Sequence, residues 1–283
     1  MFGRRILVLV PHPDDEVVGA ALAIRRAVAD GASVVALDLT HGCPPKEALW
    51  PWARMSYERA AAAQERRIAI RRREAAAAAR ELGIARIADD GLAARRLRYA
   101  LPAAYRRLRA AADAHAIDTL WVPAYEGAHA DHDCANALAA ALQRERARER
   151  VEIAVWEFAE YSNAGGTKRA NEFAETRGGE VTLVLAHEME RRWKTSLLRL
   201  YRSEAFNLRN VSAGGTRFQE SFRPLPRHDY GRPPHGGRLF YERFHWVPVK
   251  VPGIDFTTGA EVSAAITAFL GAGAAAPKAD KSR

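Results

Sequence analysis

Cysteine is scarce: Cys43 and Cys134 are the two present in 283 residues. They form no CxxC pair, which gives no support to a disulfide framework and suits a reducing compartment. Cys134 lies two residues after His132, but at the start of an expected helix its side chain turns away from a ligand position. No apolar run approaches the roughly 20 residues of a membrane span. The N-terminal run Ile6–Val10 stops at Pro11 and falls short of the roughly 7–15 residues of a secretory signal core. The expected location is cytoplasmic, with no transmembrane segment. Glycine patterns for nucleotides are also missing. The first strand-like run leads into His-Pro-Asp-Asp-Glu where a dinucleotide or Walker loop would carry its glycines, which argues against a dehydrogenase or kinase. No internal repeat is visible.

Positive charge, by contrast, is in excess. The net charge is +9, with 43 lysines and arginines against 34 acids. Much of it is arginine between Arg54 and Arg109, including Arg66-Arg67, Arg71-Arg72-Arg73, Arg95-Arg96 and Arg106-Arg107. One reading is a face for nucleic acid, phosphate or anionic lipid. The preferred reading is a solvated helix flank on which Glu58, Glu65, Glu74 and Glu81 pair at i,i+4. No nucleic-acid motif accompanies the charge, and no nucleic-acid partner is expected.

Strand-like and helix-like segments alternate along the first two-thirds. Ile6–Val10 and Val34–Leu39 are apolar runs of the kind found in parallel strands buried on both faces. A helix is expected over Val17–Ala29, and a long Ala/Arg/Glu helix over Ser56–Leu82 with Gly83 as C-cap. A weaker strand at Ile84–Ala88, a helix within Leu97–Ala114 and a strand at Thr119–Val122 follow. Then come a loop to Asp131, a helix over Asp133–Arg146, strands at Glu152–Phe158 and Val181–Leu185, and a helix over His187–Tyr201. This order predicts an α/β fold: a Rossmann-like three-layer αβα sandwich with a mostly parallel sheet. Residues 1–206 form the expected catalytic core. Residues 207–270, rich in Gly, Pro, Arg and aromatics, are expected as an irregular cap that completes the pocket within the same domain. Residues 271–283 read as a disordered tail.

Two clusters carry chemistry. Pro11-His12-Pro13-Asp14-Asp15-Glu16 follows the first strand, and Glu126-Gly127-Ala128-His129-Ala130-Asp131-His132-Asp133 follows Thr119–Val122. Loops at the carboxyl ends of parallel strands converge on one crevice where strand order reverses, so the clusters can meet. Two histidines plus one carboxylate with an open fourth position is a recurrent catalytic zinc set. His12, Asp15 and His132 satisfy it, leaving Asp14 free to deprotonate a metal-bound water.

These residues carry a resemblance. The chain resembles the PIG-L/LmbE-like zinc-dependent N-acetylglucosaminyl deacetylases, which remove acetyl from amino-sugar amides. Pro11–Glu16 matches the family's (A/P)HPDDE motif, and His129-Ala130-Asp131-His132 matches HPDH with Ala130 in place of Pro. Lys194, Tyr201 and Ser203 resemble its KxxAxxxYxSQ helix, with Leu197 in place of Ala and Glu204 in place of Gln. The likeness reaches from residue 6 to about residue 204.

The resemblance implies a hydrolase with Zn2+ (or another divalent ion such as Fe2+) held by His12, Asp15 and His132, and with Asp14 as general base. It implies His129 as the acid or electrophile at the tetrahedral intermediate, oriented by Asp131. The implied substrate is a small-molecule or glycolipid N-acetyl sugar. Some members carry a tyrosine where this chain has Gly127; Tyr125 or a cap residue is the expected substitute. Alternatives are a different amide or ester at the same site, or a non-catalytic binder of anionic glycolipid or nucleic acid. Glu16 is expected to cap a helix or bond a ligand histidine, and His41 faces the same edge. His228, His235 and His245 belong to the tail, where Arg217, Arg223, Arg227 and Arg232 are candidates for an anionic substrate group; the preferred reading of each is a fold contact or surface residue.

Overall fold

The computed structural model describes residues 3–49, 56–173, 179–212, 219–242 and 255–274. Strand β1 (Arg5–Val10) leads to helix α1 (Asp15–Ala29), β2 (Ser33–Asp38), a short α2 (Lys46–Leu49), the long α3 (Tyr57–Leu82) and β3 (Ala85–Ile87). Helix α4 (Leu101–Ala114), β4 (Thr119–Pro123), α5 (Ala130–Glu149) and β5 (Ala154–Phe158) complete the alternating part. A small hairpin, β6 (Tyr161–Ser162) with β7 (Arg169–Ala170), precedes β8 (Thr182–Leu185), α6 (Glu188–Leu198), α7 (Ala205–Ser212), β9 (Gln219–Pro224) and α8 (Gly259–Ala274).

Among the described residues the main sheet runs β3-β2-β1-β4-β5-β9-β8. The first five strands are parallel, and β9 and β8 are antiparallel additions. Alternate residues of β1 feed alternate layers. Leu7 and Leu9 pack with α4, α5 and α8 on one face. Ile6, Val8 and Val10 pack with α1, α3 and α6 on the other. The three-layer expectation holds. Strand order reverses between β1 and β4, which are hydrogen-bonded neighbours pairing Ile6 with Thr119 and Val8 with Trp121. Their carboxyl ends deliver the two His/Asp clusters to one crevice.

Several expectations need correction. Helix α1 begins at Asp15 and not Val17, and α5 at Ala130 and not Asp133, so Asp15 and His132 both stand on first helical turns. Strand β9 lies inside the segment expected as an irregular cap; it enters the main sheet between β5 and β8. The strand was hidden by its charges. Glu220 and Arg223 are both buried, and each is neutralised by a distant partner. Lys194 donates to Glu220 Oε1 at 2.6 Å and to the Val18 carbonyl at 2.9 Å, while Glu220 accepts the N–H groups of Leu22 and Ala23. The pair thus plugs β9 and α6 into one turn of α1. Helix α8 continues through Gly271 to Ala274; the rest of the expected tail, 275–283, lies outside the described residues.

Nor does the arginine-rich helix pair as expected. Among the described residues Glu74 bonds Ser203, and no i,i+4 ion pair forms within α3. The reason is in its spacing, since alanine occupies positions 62, 69, 78 and 85, four residues after each glutamate.

Breaking a buried ion pair leaves an uncompensated charge. Glu220→Ala is expected to lower the unfolding free energy by about 3–5 kcal/mol in urea titrations, with Lys194→Met/Glu220→Leu costing clearly less.

Candidate metal centre

Pro11 and Pro13 keep the segment before α1 out of the helix, in a turn closed by the Asp15 N–H on the His12 carbonyl at 3.1 Å, which sets His12 beside Asp15 on the first helical turn. His132 enters from the first turn of α5, whose N-cap is His129; the His129 Nδ1 accepts the Asp131 N–H at 3.1 Å. Three atoms meet. His12 Nδ1 lies 3.5 Å from Asp15 Oδ2, His132 Nε2 lies 3.3 Å from Asp15 Oδ2, and the two nitrogens are 3.3 Å apart. A tetrahedral zinc site with bonds of about 2.0–2.1 Å has edges of about 3.3–3.4 Å. The triangle therefore matches one face of that tetrahedron, with the fourth position left to the cavity.

The remaining nitrogens face carboxylates. His12 Nε2 lies 3.0 Å from Asp131 Oδ2, which also accepts the Arg95 N–H at 2.5 Å; the other oxygen accepts Leu97 N–H at 3.2 Å. That network assigns the His12 proton to Nε2 and leaves the Nδ1 lone pair for a metal. Asp131 was expected to orient His129, whose Nδ1 is 3.8 Å away; its short contact is with His12 instead. His132 Nδ1 lies 3.8 Å from Glu160 Oε2, a residue the sequence reading missed. Glu160 is 1% exposed and its oxygens have no hydrogen-bond partner among the described residues. Its available signal was position alone, two residues past a buried strand on the same sheet edge.

Asp14 occupies a strained backbone position, φ 133° and ψ −23°, which costs a non-glycine residue about 1–3 kcal/mol. Val17 and Val18 N–H groups both bond its carbonyl at 2.9 Å. Arg71, buried in α3, donates to the Pro13 carbonyl at 2.6 Å, stands 3.6 Å from the Asp14 carboxylate and pairs with Glu204 at 2.5 Å. A β-carbon at Gly42 would fall 2.5 Å from Arg71 Nε, so that glycine makes room for the guanidinium. Glu16 touches no histidine, and its Oε2 accepts the N–H of Asp14, the N-cap residue of α1, at 3.2 Å. It accepts from Arg86 at 2.8 Å and from Tyr201 at 2.5 Å, and Arg86 also grips Asp38.

The electrostatics follow. Burial pushes the Asp14 carboxyl well up, with Arg71 partly opposing it. Burial also raises Glu160 and Glu126, aided at Glu160 by Asp15 and Asp14. At Asp15 burial acts upward, but His132 and His12 outweigh it and hold the group low.

A cavity of about 1100 Å³ opens here, lined by His12, Asp14, Asp15, His129, Glu160 and Tyr161 at its base. Of the sequence candidates, His41 is buried with its Nδ1 accepting Cys43 N–H and is not on the cavity wall. The Tyr125 hydroxyl donates to the Arg232 carbonyl at 2.6 Å and does not reach the cavity. Gly127 has φ 73°, and a β-carbon there would lie 2.8 Å from Leu239, so the chain following β9 fills that space. Arg223 and His228 both serve the buried Glu157, and His235 bonds the Gly236 carbonyl. Cys134 is buried in the core, and Arg217 and His245 lie outside the described residues.

Residues 7–143 match the family model described as PIG-L, GlcNAc-PI de-N-acetylase. Over those residues, a little under half of the chain, it is similar to the PIG-L family. Among solved structures, the zinc-inhibited form of teicoplanin deacetylase Orf2 is similar at TM-score 0.57 and 17% identity, covering 80% of this chain and 99% of that one. The A40926 pseudoaglycone deacetylase Dbv21 is similar at TM-score 0.56 and 20% identity, over 78% and 96%. The N,N'-diacetylchitobiose deacetylase of Pyrococcus horikoshii is similar at TM-score 0.50 and 18% identity, over 79% and 84%. At these identities the likeness is one of fold. No curated protein matches the chain. The PIG-L match spans both His/Asp clusters, and the candidate His12/Asp15/His132 set suits a divalent metal.

If Asp131 fixes the His12 tautomer, Asp131→Asn weakens metal affinity about 10–100-fold. Competition between the protein and a chromophoric zinc chelator measures this directly.

Proposed function

We propose that the chain is a metal-dependent N-deacetylase that removes the acetyl group of an N-acetylated amino sugar or its conjugate. The observation that carries the reading is the His12/Asp15/His132 triangle with edges of 3.3–3.5 Å at the base of a large cavity, beside a carboxylate outside the triangle. The PIG-L match and the deacetylase neighbours support it. Two nitrogens and one carboxylate suit zinc, and the same donors also accept iron(II). When bound, such an ion polarises an amide carbonyl and lowers the pKa of water to about 7.

The chain's own residues supply the rest. Asp14 takes the proton of the attacking water as general base, its carboxylate steadied by Arg71 and by the bonds that pin its backbone. His129 accepts a backbone N–H at Nδ1, so the neutral ring carries its proton on Nε2 and presents a donor. That donor stabilises the developing oxyanion, and the proton that Asp14 has taken from the water passes to the departing amine, releasing acetate and the free amino sugar. Asp131 steadies this arrangement through both histidines: its backbone holds His129 and its side chain holds His12. The cavity is larger than one amino sugar requires and accommodates an attached group.

Acetate release from a panel of N-acetylglucosamine conjugates tests the reading. Asp14→Ala should retain the wild-type metal stoichiometry and lose about 10²–10⁴-fold in kcat. Undiminished turnover in that variant would exclude Asp14 as the base, and no acetate release by the metal-loaded wild type would exclude the reaction.

A further inference from the structure

The outer face of α3 has no role in the site. Arg59, Arg66, Arg73 and Arg80 recur every seven residues along it and are all exposed. At 1.5 Å rise per residue they stand about 10 Å apart over about 31 Å, drifting about 20° per heptad, and so form one stripe. Between them lie Ala62, Ala63, Ala69, Ile70, Ala76 and Ala77, on the same side by i,i+3 and i,i+4 spacing. Among the described residues none of the four guanidiniums has an ion-pair or hydrogen-bond partner. The exposed acids Glu58, Glu65 and Glu81 are one residue away, about 100° around the axis, where neighbours do not face each other. Several other arginines are engaged in ion pairs, among them Arg26, Arg72, Arg86, Arg109 and Arg223.

The cavity mouth lies beside α3, about 100° around its axis from the stripe. Arg67, next to Arg66, bonds Glu204 at 2.7 Å, and two residues beyond Glu204 is Phe206, 78% exposed and on the cavity rim. We infer that the outer face of α3, together with Phe206, docks this protein on the headgroup plane of an anionic lipid bilayer. Charge complementarity argues for the bilayer: cations in a row, alanines between them that let a flat surface approach, and an aromatic ring to enter the interface. A nucleic-acid duplex would satisfy the cations and leave Phe206 in water. Docking stands independently of the reaction proposed above; with that reaction, it sets the cavity mouth where a lipid-borne sugar would be presented.

Flotation of the full chain with vesicles tests this. Binding is expected to phosphatidylcholine vesicles containing about 30% phosphatidylglycerol, to be absent with phosphatidylcholine alone, and to be released by salt. Replacing all four arginines by glutamine should lower the partition coefficient about tenfold or more while the circular-dichroism melt stays unchanged. The pairs Arg59→Gln/Arg66→Gln and Arg73→Gln/Arg80→Gln, each giving part of the loss, cover the case of a misfolded quadruple variant. Equal binding of both vesicle types, undiminished binding of the folded variants, or capture of a DNA duplex without vesicles overturns the proposal.

Discussion

One buried carboxylate ties the site to the sheet. Glu16 is wholly inaccessible and accepts three hydrogen bonds from three directions: Arg86 from β3, Tyr201 from the turn after α6, and the Asp14 N–H at 3.2 Å. Arg86 in turn bonds Asp38 at the end of β2 through two nitrogens, at 2.8 and 2.6 Å. The turn that carries His12, Asp14 and Asp15 is therefore clamped to two neighbouring strands and to a segment nearly 200 residues away in sequence. A buried ion is costly to desolvate, and leaving either partner alone costs about 3–5 kcal/mol. Such a clamp is held in one geometry because every alternative strands a charge. That rigidity is what lets Asp14 keep a backbone conformation it would not adopt freely.

The same device recurs around the sheet. Lys194 and Glu220 fasten α6 and β9 to α1, and Glu157 gathers Arg223, His228 and Asn136 where β5 meets β9. Tyr230 then bonds Asn136 at 2.6 Å, bringing the chain after β9 onto α5. Each network satisfies its charges with partners from several elements, so polar groups fix register while the apolar layers supply bulk burial.

This explains what the sequence could and could not reveal. Ile6–Val10 and Thr119–Val122 read as strands because both faces are apolar, and the His/Asp clusters beyond them announced the site. The long helix was legible at both ends: Ser56 accepts Arg59 N–H at 3.3 Å, and Gly83 takes φ 72°. Strand β9 was illegible, since Gln219-Glu220-Ser221-Phe222-Arg223 looks like a solvated loop until Lys194 and Glu157 are brought beside it. Glu160 and the Asp131–His12 contact were invisible for a similar reason. A motif identifies which residues act, whereas the tautomer each imidazole adopts depends on what the fold sets behind it.

What stands behind the histidines also bears on the kind of ion the triangle suits. Asp131 and Glu160 each face the outer nitrogen of one ligand ring, while Asp14, Asp15 and Glu126 lie nearby, all of them buried. Burial raises Asp14, Glu126 and Glu160, and neighbouring carboxylates add to it at each; Arg71 is the principal cation at Asp14. Only Asp15, in contact with both rings, is held low. A divalent cation at the triangle adds two positive charges where these carboxylates converge, and it favours the ionised state of each. The outer carboxylates in turn make the imidazoles better donors. The surplus of buried acid is thus a source of affinity for a cation. A site that merely packed polar side chains would gain nothing from that arrangement.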